Sequence, residues 1–209
     1  MPASAAVPEA SYLSVFTPGR MSHATLEAIL VKRQALAESL VRGVAESVLT
    51  PAKHQVLLLG PRGMGKSFLV NLVYHRVRER EELRGKVAVA LCAEEEWGVA
   101  SLADLYLTIL RALDREYPDA ELAARIDALY DLPLDATEGA AADLIREFGG
   151  EQRTLFLLVE NLNEIFRGLT DQEQWALRSF LSERPFVTIL ATTPSLFDGV
   201  NDRDRAFYG

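Results

Sequence analysis

One short glycine-rich stretch constrains this chain more than any other feature of its sequence. Residues 60–67 read Gly-Pro-Arg-Gly-Met-Gly-Lys-Ser and match the pattern G-x-x-x-x-G-K-[ST] at every fixed position. The apolar run 55–59 precedes the stretch, and a helical pattern of apolar residues begins at Lys66. A strand, a glycine-rich loop and a helix in this order are the setting in which the pattern forms a phosphate-binding loop.

The residue types in this loop suit phosphate chemistry. Glycines let successive backbone N–H groups approach phosphate oxygens, and the N-terminus of the following helix adds its positive dipole end. We expect Lys66 to contact the β- and γ-phosphates and the Ser67 hydroxyl to bind Mg²⁺. The guanine-reading pattern N-K-x-D is absent from the sequence, so the predicted ligand is Mg-ATP. The predicted nucleotide-binding residues are Gly60, Pro61, Arg62, Gly63, Met64, Gly65, Lys66, Ser67 and Phe68.

Four apolar runs alternate with helical patterns and predict the fold class. The runs cover residues 55–60, 87–91, 154–159 and 186–191. Such runs are typical of strands buried on both faces, so we predict a three-layer α/β domain with a parallel sheet. Apolar residues at helical spacing from Ser22 to about Ser47 predict one amphipathic helix before the sheet. The predicted organisation is an N-terminal arm and helix in residues 1–50 and an ATP-binding core in residues 51–209.

Composition excludes several classes of protein. The chain has 30 acidic and 22 basic residues and a formal charge of −8. This charge does not favour nucleic-acid binding over the whole surface, although a local basic contact stays open. A single cysteine, Cys92, cannot form an internal disulfide, and three scattered histidines form no zinc pattern. No apolar run reaches the roughly 18 residues that a membrane span needs. We therefore expect a cytoplasmic protein with no membrane partner.

A second polar feature follows the third apolar run. Phe156-Leu157-Leu158-Val159 leads into Glu160-Asn161, and the fourth run ends in Thr192-Thr193. ATPases with a phosphate loop place an acidic residue at the end of a hydrophobic strand to hold Mg²⁺. With these segments and the loop together, residues 52–208 resemble AAA+ and STAND ATPases, in particular their origin-recognition-like branch.

The resemblance implies roles for the residues after the third strand. It places Glu160 at the metal-binding position and Asn161 where the family carries a catalytic glutamate. An amide cannot take a proton from water, so Asn161 cannot act as a general base. Three alternatives stay open: Glu160 serves the metal and the water, Glu164 reaches the site, or hydrolysis is slow or absent.

The resemblance also implies a polar side chain beside the γ-phosphate at the end of the fourth strand. Either Thr192 or Thr193 matches that position. The predicted catalytic residues are Lys66, Glu160 and Thr193, and the predicted metal ligands are Ser67 and Glu160.

Two further implications concern assembly. Related ATPases carry an arginine that reaches the γ-phosphate of a neighbouring subunit, and Arg203 or Arg205 matches its place. They also continue into a small helical lid, so we expect the chain to be truncated before such a lid. The expected partners are ATP or ADP and a homo-oligomer or larger multidomain parent. The chain is predicted either to hydrolyse ATP slowly as a motor or switch domain, or to be an ATP-gated binding module with little hydrolysis.

Overall fold

A parallel four-stranded sheet in the order β1-β4-β3-β2 forms the centre of the molecule. The computed structural model describes residues 19, 21–93, 98–149, 153–183, 186–197, 200 and 207. The strands are β1 (Gln55–Leu59), β2 (Val87–Cys92), β3 (Thr154–Val159) and β4 (Val187–Thr193). All neighbouring strands are parallel, so their carboxyl ends share one edge of the sheet. The predicted α/β fold with a parallel sheet is confirmed.

Helices cover both faces of this sheet. They are α1 (His23–Ile29), α2 (Gln34–Leu49), α3 (Lys66–Glu79), α4 (Leu102–Glu116), α5 (Ala120–Leu129), α6 (Leu134–Gly149), α7 (Leu162–Gly168) and α8 (Asp171–Glu183). The first three pack on the face that carries Phe156 and Leu158 of β3. The others pack on the face that carries Leu155 and Leu157. This alternation along β3 gives the sheet two apolar layers, as expected for a strand buried on both sides.

The predicted single helix from Ser22 to about Ser47 is wrong, because the structure divides it into α1 and α2. A 3-10 turn, Val31–Arg33, joins the two helices. A straight helix over this range would be about 39 Å long and could not fold back on one core. The turn lets Leu26 of α1 and Val41 of α2 both become fully buried against α3 and the sheet.

Side-chain capping bonds mark the starts of two helices. Ser101 Oγ accepts a hydrogen bond from the backbone N–H of Asp104 at 3.1 Å, and α4 follows directly. Thr170 and Glu173 exchange backbone-to-side-chain hydrogen bonds before α8, at 2.8 and 3.3 Å. Glu173 also accepts the N–H of Leu102 at 2.9 Å, so its carboxylate joins the starts of α4 and α8.

Two structural features are absent from the described ranges. None of the helices in this part of the chain is both long and apolar enough to cross a membrane. No cluster of three or more histidine, cysteine or acidic residues that could hold a metal ion occurs within these ranges either.

Candidate functional site

The loop between β1 and α3 has a backbone that only glycine adopts easily. Gly63 and Gly65 have φ angles of 79° and 76°, in the left-handed region. Gly65 is the N-cap of α3, and no side chain caps the helix there. The N-cap residue thus offers no side-chain acceptor to the first turn of α3, and helix N-termini of this kind bind anions.

Lys66 lies across the loop that precedes it. Its Nζ donates hydrogen bonds to the carbonyl oxygens of Gly60 at 2.5 Å and Pro61 at 3.0 Å. The next residue, Ser67, is half-buried in the first turn of α3. Phe68 packs against the apolar layer below α3, whereas Met64 is 51% exposed. Only some of the predicted loop residues therefore offer their side chains to a ligand.

The end of β4 adjoins the start of the loop. The backbone N–H of Gly60 donates to the carbonyl oxygen of Thr193 at 3.2 Å, continuing the register that pairs Leu59 with Thr193. On the other side of β4, Val159 of β3 pairs with Ala191, so Glu160 follows at the same edge. The structure thereby brings together Gly60, Thr193 and Glu160, which the sequence predicted to share a site.

Glu160 follows β3 at the carboxyl edge of the sheet, where β3 lies between β2 and β4. Its backbone N–H donates to the carbonyl oxygen of Cys92 at 3.2 Å, and the residue is only 6% exposed. Carboxylate and hydroxyl oxygens are hard donors of the kind that Mg²⁺ prefers. Glu160 and Ser67 therefore have the donor chemistry that a nucleotide-bound Mg²⁺ requires.

Asn161 adopts an unusual backbone conformation. With φ 48° and ψ 53°, it is the one non-glycine residue with positive φ in the described ranges. Its backbone N–H donates to Thr192 Oγ1 at 3.0 Å, and its carbonyl oxygen accepts the N–H of Glu164 at 2.9 Å. Asparagine tolerates this region better than most side chains. The residue type at this position therefore suits the sharp turn from β3 into α7.

The two threonines at the end of β4 engage different groups. Thr192 Oγ1 accepts the N–H of Asn161, whereas Thr193 Oγ1 lies 2.7 Å from the carbonyl oxygen of Ser195 and 3.3 Å from Asn163 Oδ1. Both threonines are almost fully buried. Sequence reasoning could not distinguish them, because two of these three partners, Asn161 and Asn163, lie 31 and 30 residues away along the chain.

The carboxylate of Glu164 is already engaged on the side of α7. Both of its oxygens accept hydrogen bonds from Arg167 Nη1 at 2.8 Å, and Asn163 Nδ2 donates to Oε1 at 2.8 Å. Any role for Glu164 at the phosphates would require these bonds to break.

Arg33 is a residue of this region that the motif analysis missed. Its Nη1 lies 3.9 Å from the position that a Cβ atom on Gly65 would occupy, so the guanidinium borders the phosphate loop. It comes from the 3-10 turn between α1 and α2, within the range predicted as one helix. No sequence signal marked this turn, because Val31 and Ala35 continue the helical i, i+4 apolar spacing across it.

An ionic cluster holds α1 onto α3. Arg76 Nε and Nη2 donate to the two carboxylate oxygens of Glu27 at 2.7 and 2.8 Å. These bonds, outweighing the opposing effect of burial and assisted by Gln34 and His23, lower the pKa of Glu27 to about 2. His23 also bridges Glu27 and Glu79 with contacts of 3.0 and 2.8 Å. The cluster fixes α1 beside the helix that begins in the phosphate loop.

Comparison with known proteins agrees with this arrangement. The sequence profile of the AAA ATPase domain matches residues 29–190. The chain belongs to the AAA ATPase domain family. The predicted family is thus confirmed, and membership supports nucleotide binding. The predicted arginines Arg203 and Arg205 lie outside the described residues.

Solved structures with a similar fold come from Aeropyrum pernix. The ORC1 protein in complex with DNA is 16% identical with a TM-score of 0.57, and the match covers 84% of this chain and 42% of that one. The ORC2 protein in its ADP form is also 16% identical with a TM-score of 0.57, covering 78% and 42%. Its ADPNP-ADP complexes are 18% identical with a TM-score of 0.54, covering 78% and 41%. At these identities the similarity concerns the fold.

The match spans less than half the length of each of these archaeal proteins. No curated protein matches the chain by sequence.

Proposed function

We propose that this AAA ATPase domain binds Mg-ATP through residues 60–68 and hydrolyses it slowly as the motor or switch domain of a larger assembly. The observation that carries the proposal is the loop itself, with Gly63 and Gly65 at positive φ and no side chain capping α3. Lys66 sits on the same loop and supplies a positive charge for the phosphates.

The residues available for Mg²⁺ fit a nucleotide-bound ion. Ser67 offers a hydroxyl from the first turn of α3, and Glu160 offers a carboxylate from the neighbouring end of β3. A bound Mg²⁺ would neutralise charge on the phosphate oxygens. The protein's part is to hold these two oxygen donors at the same edge of the sheet as the loop.

Slow turnover follows from the groups present near the γ-phosphate position. In hydrolysis, water attacks the γ-phosphorus and the bond to the β–γ bridging oxygen breaks, so a group that accepts the water's proton accelerates the reaction. The amide of Asn161 cannot accept this proton. We therefore assign to Glu160 the role of orienting the attacking water. Thr193 would contribute from the end of β4 by exchanging its buried hydrogen bond to the carbonyl oxygen of Ser195 for a contact with the γ-phosphate or the water.

A second candidate is an ATP-gated binding or oligomerisation module with little or no hydrolysis. Asn161 favours it, because its amide occupies the place of the family's catalytic glutamate. The similar Aeropyrum pernix structures include an ADP form and a complex with DNA, but these ligands belong to those proteins. For this chain, we propose that it assembles into a larger complex. We also propose that Arg203 or Arg205 reaches the nucleotide site of a neighbouring subunit.

The test is a chase of bound nucleotide. The purified chain is loaded with labelled ATP and Mg²⁺, and ATP and ADP are separated after incubation. Conversion to ADP identifies an ATPase, whereas intact bound ATP identifies the gated module. Failure of the wild-type chain to bind ATP would contradict both.

Lys66→Ala should weaken ATP binding by roughly tenfold to a hundredfold, because a charged hydrogen-bond donor to the phosphates is lost. Lys86→Ala is the matched control, since Lys86 is an exposed lysine beside β2. Equal ATP affinity in both variants, measured by calorimetry, would contradict the loop assignment.

At saturating Mg²⁺, Glu160→Gln should leave ATP binding nearly unchanged and remove the conversion to ADP, because the amide keeps the shape of the side chain but not its charge. Single-turnover measurements on bound ATP provide the readout. A rate equal to that of the wild-type chain would exclude Glu160 from the reaction.

A further inference from the structure

A side chain from β4 holds the turn that follows Glu160. The backbone N–H of Asn161 donates to Thr192 Oγ1 at 3.0 Å, and both residues are buried, with 7% and 2% exposure. The left-handed conformation of Asn161 brings this N–H onto the neighbouring strand. A backbone group that would otherwise be buried without an acceptor is thus paired by a hydroxyl 31 residues further along the chain.

The same strand end also holds the phosphate loop. The carbonyl oxygen of Thr193 accepts the N–H of Gly60 at 3.2 Å. Two successive residues of β4 therefore bond to the two parts of the site, Thr192 to the acidic turn and Thr193 to the loop. Because β4 lies between β3 and β1, these two bonds extend the strand pairing to the Glu160 turn on one side and to the loop on the other.

We propose that Thr192 is a positioning residue for the Mg²⁺–nucleotide complex. Its hydroxyl fixes the turn at residues 160 and 161, and the turn fixes the carboxylate of Glu160 relative to the phosphate loop. The inference rests on the proposed function and assigns Thr192 a role through Glu160 rather than through contact with the nucleotide. Groups that orient a metal ligand in this way affect metal affinity by about 10-fold to 100-fold when removed.

Thr188 provides a matched control at the other end of the same strand. It is 1% exposed, and its hydroxyl donates to the carbonyl oxygen of His54 at 2.5 Å. Thr192→Val and Thr188→Val both remove a buried hydroxyl from β4 and keep a β-branched side chain. A general loss of stability affects both variants, whereas a loss of positioning affects Thr192→Val alone.

The experiment compares the wild-type chain with Thr192→Ser, Thr192→Val and Thr188→Val. The first measurement is amide hydrogen exchange of Asn161 without nucleotide, which reports on the hydrogen bond itself. The second is the affinity for ATP as a function of Mg²⁺ concentration, with ADP binding in the absence of Mg²⁺ as a reference for the loop. If Thr192→Val does not fold, Thr192→Ala, which removes the hydroxyl with less apolar bulk, takes its place.

We expect Thr192→Val to speed exchange of the Asn161 amide by about tenfold and to raise the Mg²⁺ concentration needed for tight ATP binding by about tenfold or more. Its affinity for Mg²⁺-free ADP should stay within about twofold of the wild-type value, because the loop keeps its own contacts. Thr192→Ser should restore the wild-type behaviour, and Thr188→Val should show it throughout.

Two results would overturn the inference while leaving the proposed function intact: equal Mg²⁺ dependence in Thr192→Val and the wild-type chain, or equal changes in Thr192→Val and Thr188→Val. Failure of the wild-type chain to bind ATP would instead overturn the proposed function and this inference together.

Discussion

Asn161 couples backbone geometry to the chemistry that the site can perform. The turn after Glu160 needs a residue that tolerates a φ of 48°, and asparagine and glycine do so most readily. A glutamate in the same place would bring a general base but would lie in a strained conformation. The left-handed turn therefore gives a structural reason for an asparagine at this position, separate from its effect on hydrolysis.

Exchanging this residue should separate the two effects. We expect Asn161→Glu to raise the rate of ATP hydrolysis and to lower the free energy of unfolding by about 1 kcal/mol, the cost of a strained left-handed residue. Asn161→Gly should keep the stability within about 1 kcal/mol and leave hydrolysis slow, since glycine fits the turn but offers no base. Single-turnover rates and denaturant unfolding provide the two readouts. If Asn161→Glu hydrolyses ATP as slowly as Asn161→Gly, the lack of a general base at this position does not limit the rate.

Sequence reasoning reached part of the site at this scale. The loop motif together with the resemblance to AAA+ ATPases predicted that residues 60–67, Glu160 and Thr193 belong to one site. The left-handed turn at Asn161 was not predictable, because it depends on a hydrogen bond across strands. Arg33 was missed for a similar reason: its place beside Gly65 depends on how two helices fold back on α3.

At the scale of elements, charged side chains hold α1 and α2 against α3 and the residue that follows it. Arg76 binds both carboxylate oxygens of Glu27, and Arg80 binds Glu38 of α2 at 2.6 Å. Because α3 begins in the phosphate loop, these contacts connect the N-terminal helices to the site. Hydrophobic spacing predicted an amphipathic helix in the N-terminal region, but it could not predict the ionic contacts, whose partners are distant in sequence.

The Glu27–Arg76 contact predicts an acid-dependent stability. The pKa of Glu27 is lowered from 4.5 to about 2, mainly by Arg76, so its contribution is complete above pH 4.5 and is lost as the pH falls towards 2. The difference in free energy of unfolding between the wild-type chain and Glu27→Gln should therefore shrink over this interval. Urea unfolding at several pH values measures it, with Glu121→Gln, a change of an exposed acid on α5, as the control. A difference independent of pH would contradict the assignment.

At the scale of the whole molecule, the sheet separates two apolar layers, and the N-terminal helices supply much of one of them. Leu40, Val41 and Val44 of α2 are buried in the same cluster as Val89 of β2 and Phe156 of β3. The alternation of apolar runs and helical patterns was enough to predict the three layers. The strand order was not, because it depends on pairings between distant segments. The boundary at residue 50 stays a prediction.

Removing residues 1–50 should prevent the rest of the chain from folding stably. Each of Leu40, Val41 and Val44 contributes roughly 1.5–3 kcal/mol by burial, so together they match much of the roughly 5–15 kcal/mol that stabilises a typical domain. We expect a chain of residues 51–209 to lose cooperative thermal unfolding and to aggregate, as circular dichroism and size-exclusion chromatography would show. A truncated chain that melts cooperatively near the wild-type temperature would establish the core as independent.

The hydrogen bond from Gly60 to Thr193 has a consequence for the order of events during synthesis. In the described sheet β1 pairs with β4, and the residues of this bond lie about 130 positions apart, so the loop motif leaves the ribosome long before the strand that completes its surroundings. Contacts this distant in sequence form late and slow folding. A nascent chain that already carries the whole phosphate-binding motif should therefore be unable to retain nucleotide until β4 has emerged.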